Sequence, residues 1–342
     1  MIPTTILTGF LGAGKTTLLN RLLKEPHGYK IAVIENEFGA ENIDNEILVQ
    51  DSTEQIVEMN NGCICCTVRG DLISALSSLA KKRNAGELGF DHVVIETTGL
   101  ANPGPVAQTF FMDEEVAMHY QLDAIITLVD ARHGMQQLDE REEAQRQVGF
   151  ADRILLSKTD LCSAEEVAQL SARLKRMNPR APITTNSLEG ESVASLLDLR
   201  GFNLNDKLEI DPEFLAAQEH EHDAECGHHH EHGEDCGHHH HGHTDDIAAF
   251  VFRSNRPFDA ARLDNFLSGL IQVFGPRMLR YKGILYMEGA DRKVVFQGVH
   301  QTMGSDIGAP WLEQEERGSK MVFIGVNLPE DTFLQGLEQC LV

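Results

Sequence analysis

Basic residues are scarce in this chain. Its 342 residues carry 29 Lys or Arg against 53 Asp or Glu, a formal net charge of −24. That balance argues against nucleic acid as the main partner, because phosphate neutralisation needs a cationic surface. Long apolar runs are missing too. Hydrophobic residues make up 42% of the chain, yet no run reaches 18 residues, so no membrane span is expected. The first strand candidate begins almost at once. No signal peptide is expected, and the location is expected to be cytoplasmic. The seven cysteines should therefore be thiols or metal ligands, not disulfides. One stretch lacks Lys and Arg altogether: residues 209–246 hold twelve Asp or Glu, half of the net charge.

What is present begins with Gly9-Phe10-Leu11-Gly12-Ala13-Gly14-Lys15-Thr16-Thr17, which fits the phosphate-binding pattern G-x-x-x-x-G-K-[ST]. The β-branched run at Thr5-Ile6-Leu7 predicts a strand before it. Apolar residues at helical spacing over Thr17–Leu23 predict a helix after it. Gly9, Gly12 and Gly14 let the backbone, including Ala13, wrap phosphates at a helix N-terminus. Lys15 would reach the β and γ phosphates, and the Thr16 hydroxyl would hold Mg²⁺.

Two further segments extend this site. Val93-Val94-Ile95-Glu96 is an apolar run ending in a carboxylate, with Gly99 three positions later. At such a strand end Glu96 can bind Mg²⁺ through water, and the Gly99 N–H can sense a γ-phosphate. Ser157-Lys158-Thr159-Asp160 follows another strand candidate and is similar to the guanine-reading N-K-x-D motif, with Ser in place of Asn. Asp160 can accept from guanine N1–H and the exocyclic amine, a donor pair that adenine lacks, so GTP is expected over ATP. Lys158 would pack its stem along the base.

Two features point to metal. Cys63, Cys65 and Cys66 fall within four residues before a predicted helix bearing Leu72, Leu76 and Leu79. A helix N-terminus favours thiolates, which suit Zn²⁺ or Cu⁺. The fourth tetrahedral position is open to a carboxylate, an imidazole or water. This loop lies where switch segments occur in GTPases. The second feature is a ten-residue repeat. His222, Cys226, His228, His229 and His230 recur as His232, Cys236, His238, His239 and His240, followed by His241 and His243. Imidazoles bind Zn, Ni, Co and Cu alike, so the tract should hold several ions with modest selectivity.

The chain divides into three parts. Residues 1–202 alternate strand and helix signals, with near-continuous apolar runs at 29–34, 92–95, 124–129 and 153–156. They predict an α/β P-loop domain whose mainly parallel sheet is covered by helices on both faces. Residues 203–246 read as a flexible acidic His/Cys-rich linker. Residues 247–342 read as a small α+β domain. Its strand candidates are at 247–252, 283–287, 293–297 and 321–327, its amphipathic helix carries Leu263, Phe266, Leu267, Leu270, Ile271 and Phe274, and a last helix follows Pro329.

The combination resembles the CobW-type P-loop GTPases. It rests on residues 9–17, on Ile34-Glu35-Asn36-Glu37-Phe38-Gly39, on Asn61-Gly62-Cys63-Ile64-Cys65-Cys66, on Glu96-Thr97-Thr98-Gly99, on residues 157–160 and on Arg280-Tyr281-Lys282-Gly283. The resemblance implies slow GTP hydrolysis coupled to delivery of a transition metal, with GTP/GDP, Mg²⁺ and Zn²⁺ as ligands and Co²⁺ or Ni²⁺ as other cargo. It implies Glu35, Cys65 and Cys66 as metal ligands, with Cys63 a further candidate and Glu37 near Mg²⁺. A client metalloprotein is the implied partner, and a homodimer is compatible with it. The rival readings are a zinc buffer or sensor, a cobalt or nickel chaperone, and a P-loop kinase.

Overall fold

In a computed structural model of the chain, the described residues are 1–25, 28–35, 56–58, 67–185, 193–201, 245–312 and 315–342. Seven strands form the first sheet: β1 (Ile2–Gly9), β2 (Ile31–Glu35), β3 (Ile56–Glu58), β4 (His92–Glu96), β5 (Tyr120–Asp130), β6 (Arg153–Ser157) and β7 (Ile183–Thr185). Their order is β3-β2-β4-β1-β5-β6-β7, and every pair is parallel. The apolar runs are buried on both sides because alternate residues face opposite layers. Ile6, Ala32, Ile34, Val93 and Ile95 join one core. Their neighbours Leu7, Ile31, Val33 and Val94 join another, with Leu18, Leu19 and Leu22 of α1 (Lys15–Lys24).

The connecting helices are α2 (Thr67–Asn84), α3 (Pro103–Met112), α4 (Glu114–His119), α5 (Gly134–Glu140), α6 (Glu142–Phe150) and α7 (Ala164–Met177). Their starts are written locally. Asn102 caps α3 by accepting from Gly104 N at 3.0 Å, with Pro103 in the first turn. Ser163 and Glu166 form a reciprocal capping box on α7.

The second sheet is antiparallel, in the order β11-β10-β9-β12-β8. Its strands are β8 (Ile247–Ser254), β9 (Met278–Leu285), β10 (Arg292–Val299), β11 (Thr302–Pro310) and β12 (Ser319–Val326). Helices α8 (Ala260–Phe274) and α9 (Glu330–Gln339) cover one face, where Leu263, Leu267, Phe333 and Leu337 pack on Phe250, Phe296 and Phe323. The other face lies against the first unit: Ile247, Leu279, Val322 and Ile324 share one apolar cluster with Val148, Phe150 and Leu174. The strand expected at 283–287 instead spans Met278–Leu285. Arg280 and Lys282 disguise its apolar character in the sequence, yet both are buried. Three strands, β3, β7 and β11, are not foreseen from the sequence, and β11 is largely exposed with little apolar alternation. No helix among the described residues is long and apolar enough to cross a membrane.

Candidate functional site

Strand order alone locates the site. The chain builds outward from β1 to β2 on one side, then crosses to β5 on the other, so β1 sits between β4 and β5. Ligands of open α/β sheets bind at the carboxyl ends of strands at such a reversal. Register places the chemistry there: Leu7 pairs with Glu96, Glu35 with Glu96, Gly9 with Leu128 and Asp130 with Ser157.

The β1–α1 loop can adopt its path because of its glycines. Gly9 has φ +145°, and a Cβ there would lie 2.4 Å from the Leu128 carbonyl oxygen. Gly14, at φ 97°, immediately precedes α1. Lys15 is buried and folds back over the loop, donating from Nζ to the carbonyls of Gly9 (2.9 Å) and Phe10 (3.3 Å). Burial pushes its ammonium below the usual lysine range, with Glu96 partly offsetting this. Thr16 Oγ1 donates to Glu96 Oε1 at 3.0 Å. One hydroxyl and one carboxylate thus meet beside the start of α1, a donor set of the hard oxygen type that suits Mg²⁺.

After Glu96 the chain is pinned to β1. Thr97 N donates to Leu7 O at 2.9 Å, and the Thr97 and Thr8 hydroxyls are 2.9 Å apart. Gly99 is pressed on the loop, since a Cβ there would lie 2.6 Å from Leu11 N. Gln147 of α6 donates from Nε2 to the Gly99 carbonyl (3.1 Å) and the Ala101 carbonyl (3.0 Å).

On the far side of β1, Ser157 Oγ donates to the Ala13 carbonyl at 2.7 Å, tying β6 to the phosphate loop. Lys158 sits in the left-handed region at φ 56° and reaches Asp130 Oδ2 at 2.8 Å. Asp130 also faces His133 Nδ1 at 3.0 Å and accepts from Arg132 N at 2.9 Å. Burial alone would raise the Asp130 carboxyl, but hydrogen bonds from Lys158 and His133 hold it below the usual carboxylate range. Asp160 is exposed in the short 3-10 turn Thr159–Leu161.

Of the residues singled out in the sequence, Gly9, Gly12, Ala13, Gly14, Lys15, Thr16, Thr17, Glu96, Gly99, Ser157, Lys158 and Asp160 lie at the carboxyl ends of β1, β4 and β6, in the turns that follow them or in the first turn of α1. Glu35 ends β2, beside Glu96. Glu37, Cys63, Cys65, Cys66 and the tract from His222 to His243 fall outside the described residues. Among the described residues no cluster of three or more His, Cys, Asp or Glu could hold a metal ion. Sequence reasoning missed Asp130 and Gln147. Asp130 ends an apolar run just as Glu96 does, and that parallel could have found it. Gln147 carries no local signal.

A family model for the CobW/HypB/UreG nucleotide-binding domain matches residues 3–185, and one for the cobalamin synthesis protein CobW C-terminal domain matches residues 247–341. The chain belongs to the CobW family. It is 40% identical over 331 residues to the zinc chaperone YjiA of Escherichia coli, covering 96% of each chain. It is 32% identical to the zinc chaperone CobW of Pseudomonas aeruginosa, covering 99% of this chain and 92% of that one. The zinc-regulated GTPase metalloprotein activator 1 of Dictyostelium discoideum is 29% identical, over 100% of this chain and 80% of its own. The crystal structure of Zn(II)-bound YjiA GTPase from E. coli superposes with a TM-score of 0.77 at 36% identity, covering 100% of this chain and 99% of that one. In this CobW protein the nucleotide-binding family match holds the carboxyl-end constellation just described, and the C-terminal match coincides with the antiparallel unit packed on α6.

Proposed function

We propose that this protein is a GTP-hydrolysing metallochaperone that binds zinc and couples its GTP cycle to metal transfer to a client protein. The observation that carries the reading is the convergence of Lys15, Thr16 and Glu96 at the carboxyl end of β1 and β4. Lys15 and the loop amides would hold the β and γ phosphates and stabilise charge developing in the transition state. Thr16 and Glu96 would hold Mg²⁺, which supplies further charge neutralisation at the phosphates. Asp160 would read guanine, with Lys158 along the base and Ser157 supporting the phosphate loop.

The metal is cargo. Cys65, Cys66 and Glu35 are assigned as its internal ligands, with Cys63 as a further one and Glu37 near Mg²⁺. The repeated His/Cys tract would load or store ions. Zinc is favoured over cobalt or nickel by the thiolate ligand set and by relatives named as zinc chaperones. The client is a metalloprotein, and a homodimer is compatible with the reading.

The test is a chelator-competition Zn²⁺ titration of a variant lacking the His tract, bound to GDP or to a non-hydrolysable GTP analogue. A nucleotide-dependent affinity that vanishes in Cys65→Ser/Cys66→Ser supports chaperone coupling. Equal affinities would sink it and favour a zinc buffer or sensor, the second reading, which the eleven histidines between His220 and His243 recommend.

A further inference from the structure

We infer that Gln147 is a positioning residue for GTP hydrolysis, acting through the backbone of Gly99–Ala101. The inference rests on the GTPase reading and deepens it.

Gln147 is 1% exposed, on the face of α6 (Glu142–Phe150) turned towards the loop after β4. Packing alone would be served by Leu or Met at such a site. An amide is needed because two backbone carbonyls, those of Gly99 and Ala101, turn towards it and take both its donors at 3.1 and 3.0 Å. Buried carbonyls left without donors are costly. The amide can be oriented only one way, since a flipped group would set its own oxygen against those carbonyls. In the orientation present, Oε1 is buried with no hydrogen-bond partner among the described residues. The side chain thus leaves its own acceptor unsatisfied while serving the loop.

The helix is fixed where it carries this side chain. Thr127 Oγ1 of β5 donates to the Gln147 carbonyl at 2.8 Å. Asn178 Nδ2 donates to the carbonyls of Val148 (2.8 Å) and Ala151 (2.9 Å), satisfying the C-terminal end of α6. Gly99 also abuts Leu11 of the phosphate loop. Gly99 is therefore held between the phosphate loop and a helix tied to the sheet, so its N–H is fixed relative to Lys15 and Thr16. Fixed donors of this kind stabilise a transition state because they need no reorganisation as charge develops. GDP has no γ-phosphate and makes no use of this N–H.

The test compares wild-type protein with Gln147→Met, which keeps shape and removes both donors. Expected is a fall in kcat of about tenfold or more, with the GDP dissociation constant held within about twofold. An unchanged kcat, or equal losses of GDP and GTP-analogue affinity, would overturn the inference. Gln147→Glu provides an independent readout if the Met variant does not fold. Burial beside two carbonyls favours its protonated form, which has one O–H to donate. The ratio of its kcat to wild type should rise several-fold between about pH 8.5 and about pH 6, and a flat ratio would count against the proposal. Absence of hydrolysis by the wild type itself would strike the GTPase reading instead. The inference would then be decided by whether Gln147→Met weakens the GTP analogue more than GDP.

Discussion

Lys158 and Asp130 form an ion pair at 2.8 Å in which the carboxylate is almost wholly buried and the lysine partly exposed. The pair bridges the ends of β5 and β6 and holds a left-handed residue in place just before Asp160. Asp130→Asn should therefore free the Lys158 stem and weaken guanine-nucleotide binding by about tenfold, the scale of one charge-assisted hydrogen bond. Fluorescence titration with labelled GDP measures this. Unaltered affinity would mean the pair has only a structural role.

Asp160 is exposed, and under the proposed reading it contributes only to the base. Asp160→Ala should leave the melting temperature of the nucleotide-free protein unchanged while reducing the preference for GTP over ATP by about a hundredfold or more. Competition binding settles the matter. A preference that survives the substitution would remove guanine reading from this turn.

Gly104 lies in the first turn of α3, against the second unit. A Cβ there would meet His300 Nε2 at 2.6 Å and Phe150 Cζ at 2.7 Å, two rings already packed edge to face with centroids 5.1 Å apart. Gly104→Ala should overpack this junction and cost about 1–3 kcal/mol, read from urea unfolding. A neutral substitution would show that the two units yield easily there.

His300 should make the same junction sensitive to acid. Burial holds its imidazole below the usual histidine range. Arg146 of α6 adds to that, while the backbone of Gly275, Met278 and Pro276 opposes it. The unfolded chain therefore takes up this proton more readily than the folded one. Its contribution is complete above the unfolded value of about 6.5 and is lost as pH falls through that value. Between about pH 7 and about pH 5, His300→Asn should lose less melting temperature than wild type. Asn tolerates the left-handed φ of 52° at this position. Parallel losses in the two proteins would contradict the assignment.

Much of the candidate nucleotide site is legible in the sequence because it is assembled from short segments with local rules. A glycine-rich turn between a strand and a helix needs only its own nine residues. Glu96 and Asp160 are marked by ending or following apolar runs. Asp130 obeys the same rule but belongs to no familiar motif. Gln147 cannot be read locally, because its partners Gly99 and Ala101 lie 48 and 46 residues away and only the packing of α6 on the loop brings them together. Strand β9 is blurred for a related reason. Arg280 looks like a surface residue in sequence, but the fold buries it beside Asp152, which it meets at 3.2 Å and which also pairs with Arg180. Burial of charge is set by distant partners, and the local pattern does not carry it.

The apolar cluster that joins Val148, Phe150 and Leu174 to Leu279, Val322 and Ile324 belongs to neither sheet alone. A nucleotide-binding fragment cut after Gly201 would consequently bear a greasy flank shaped for β9 and β12. Used as bait in a search for clients, such a fragment would collect proteins by adhesion to that flank. Only the intact chain keeps that flank covered in a binding experiment.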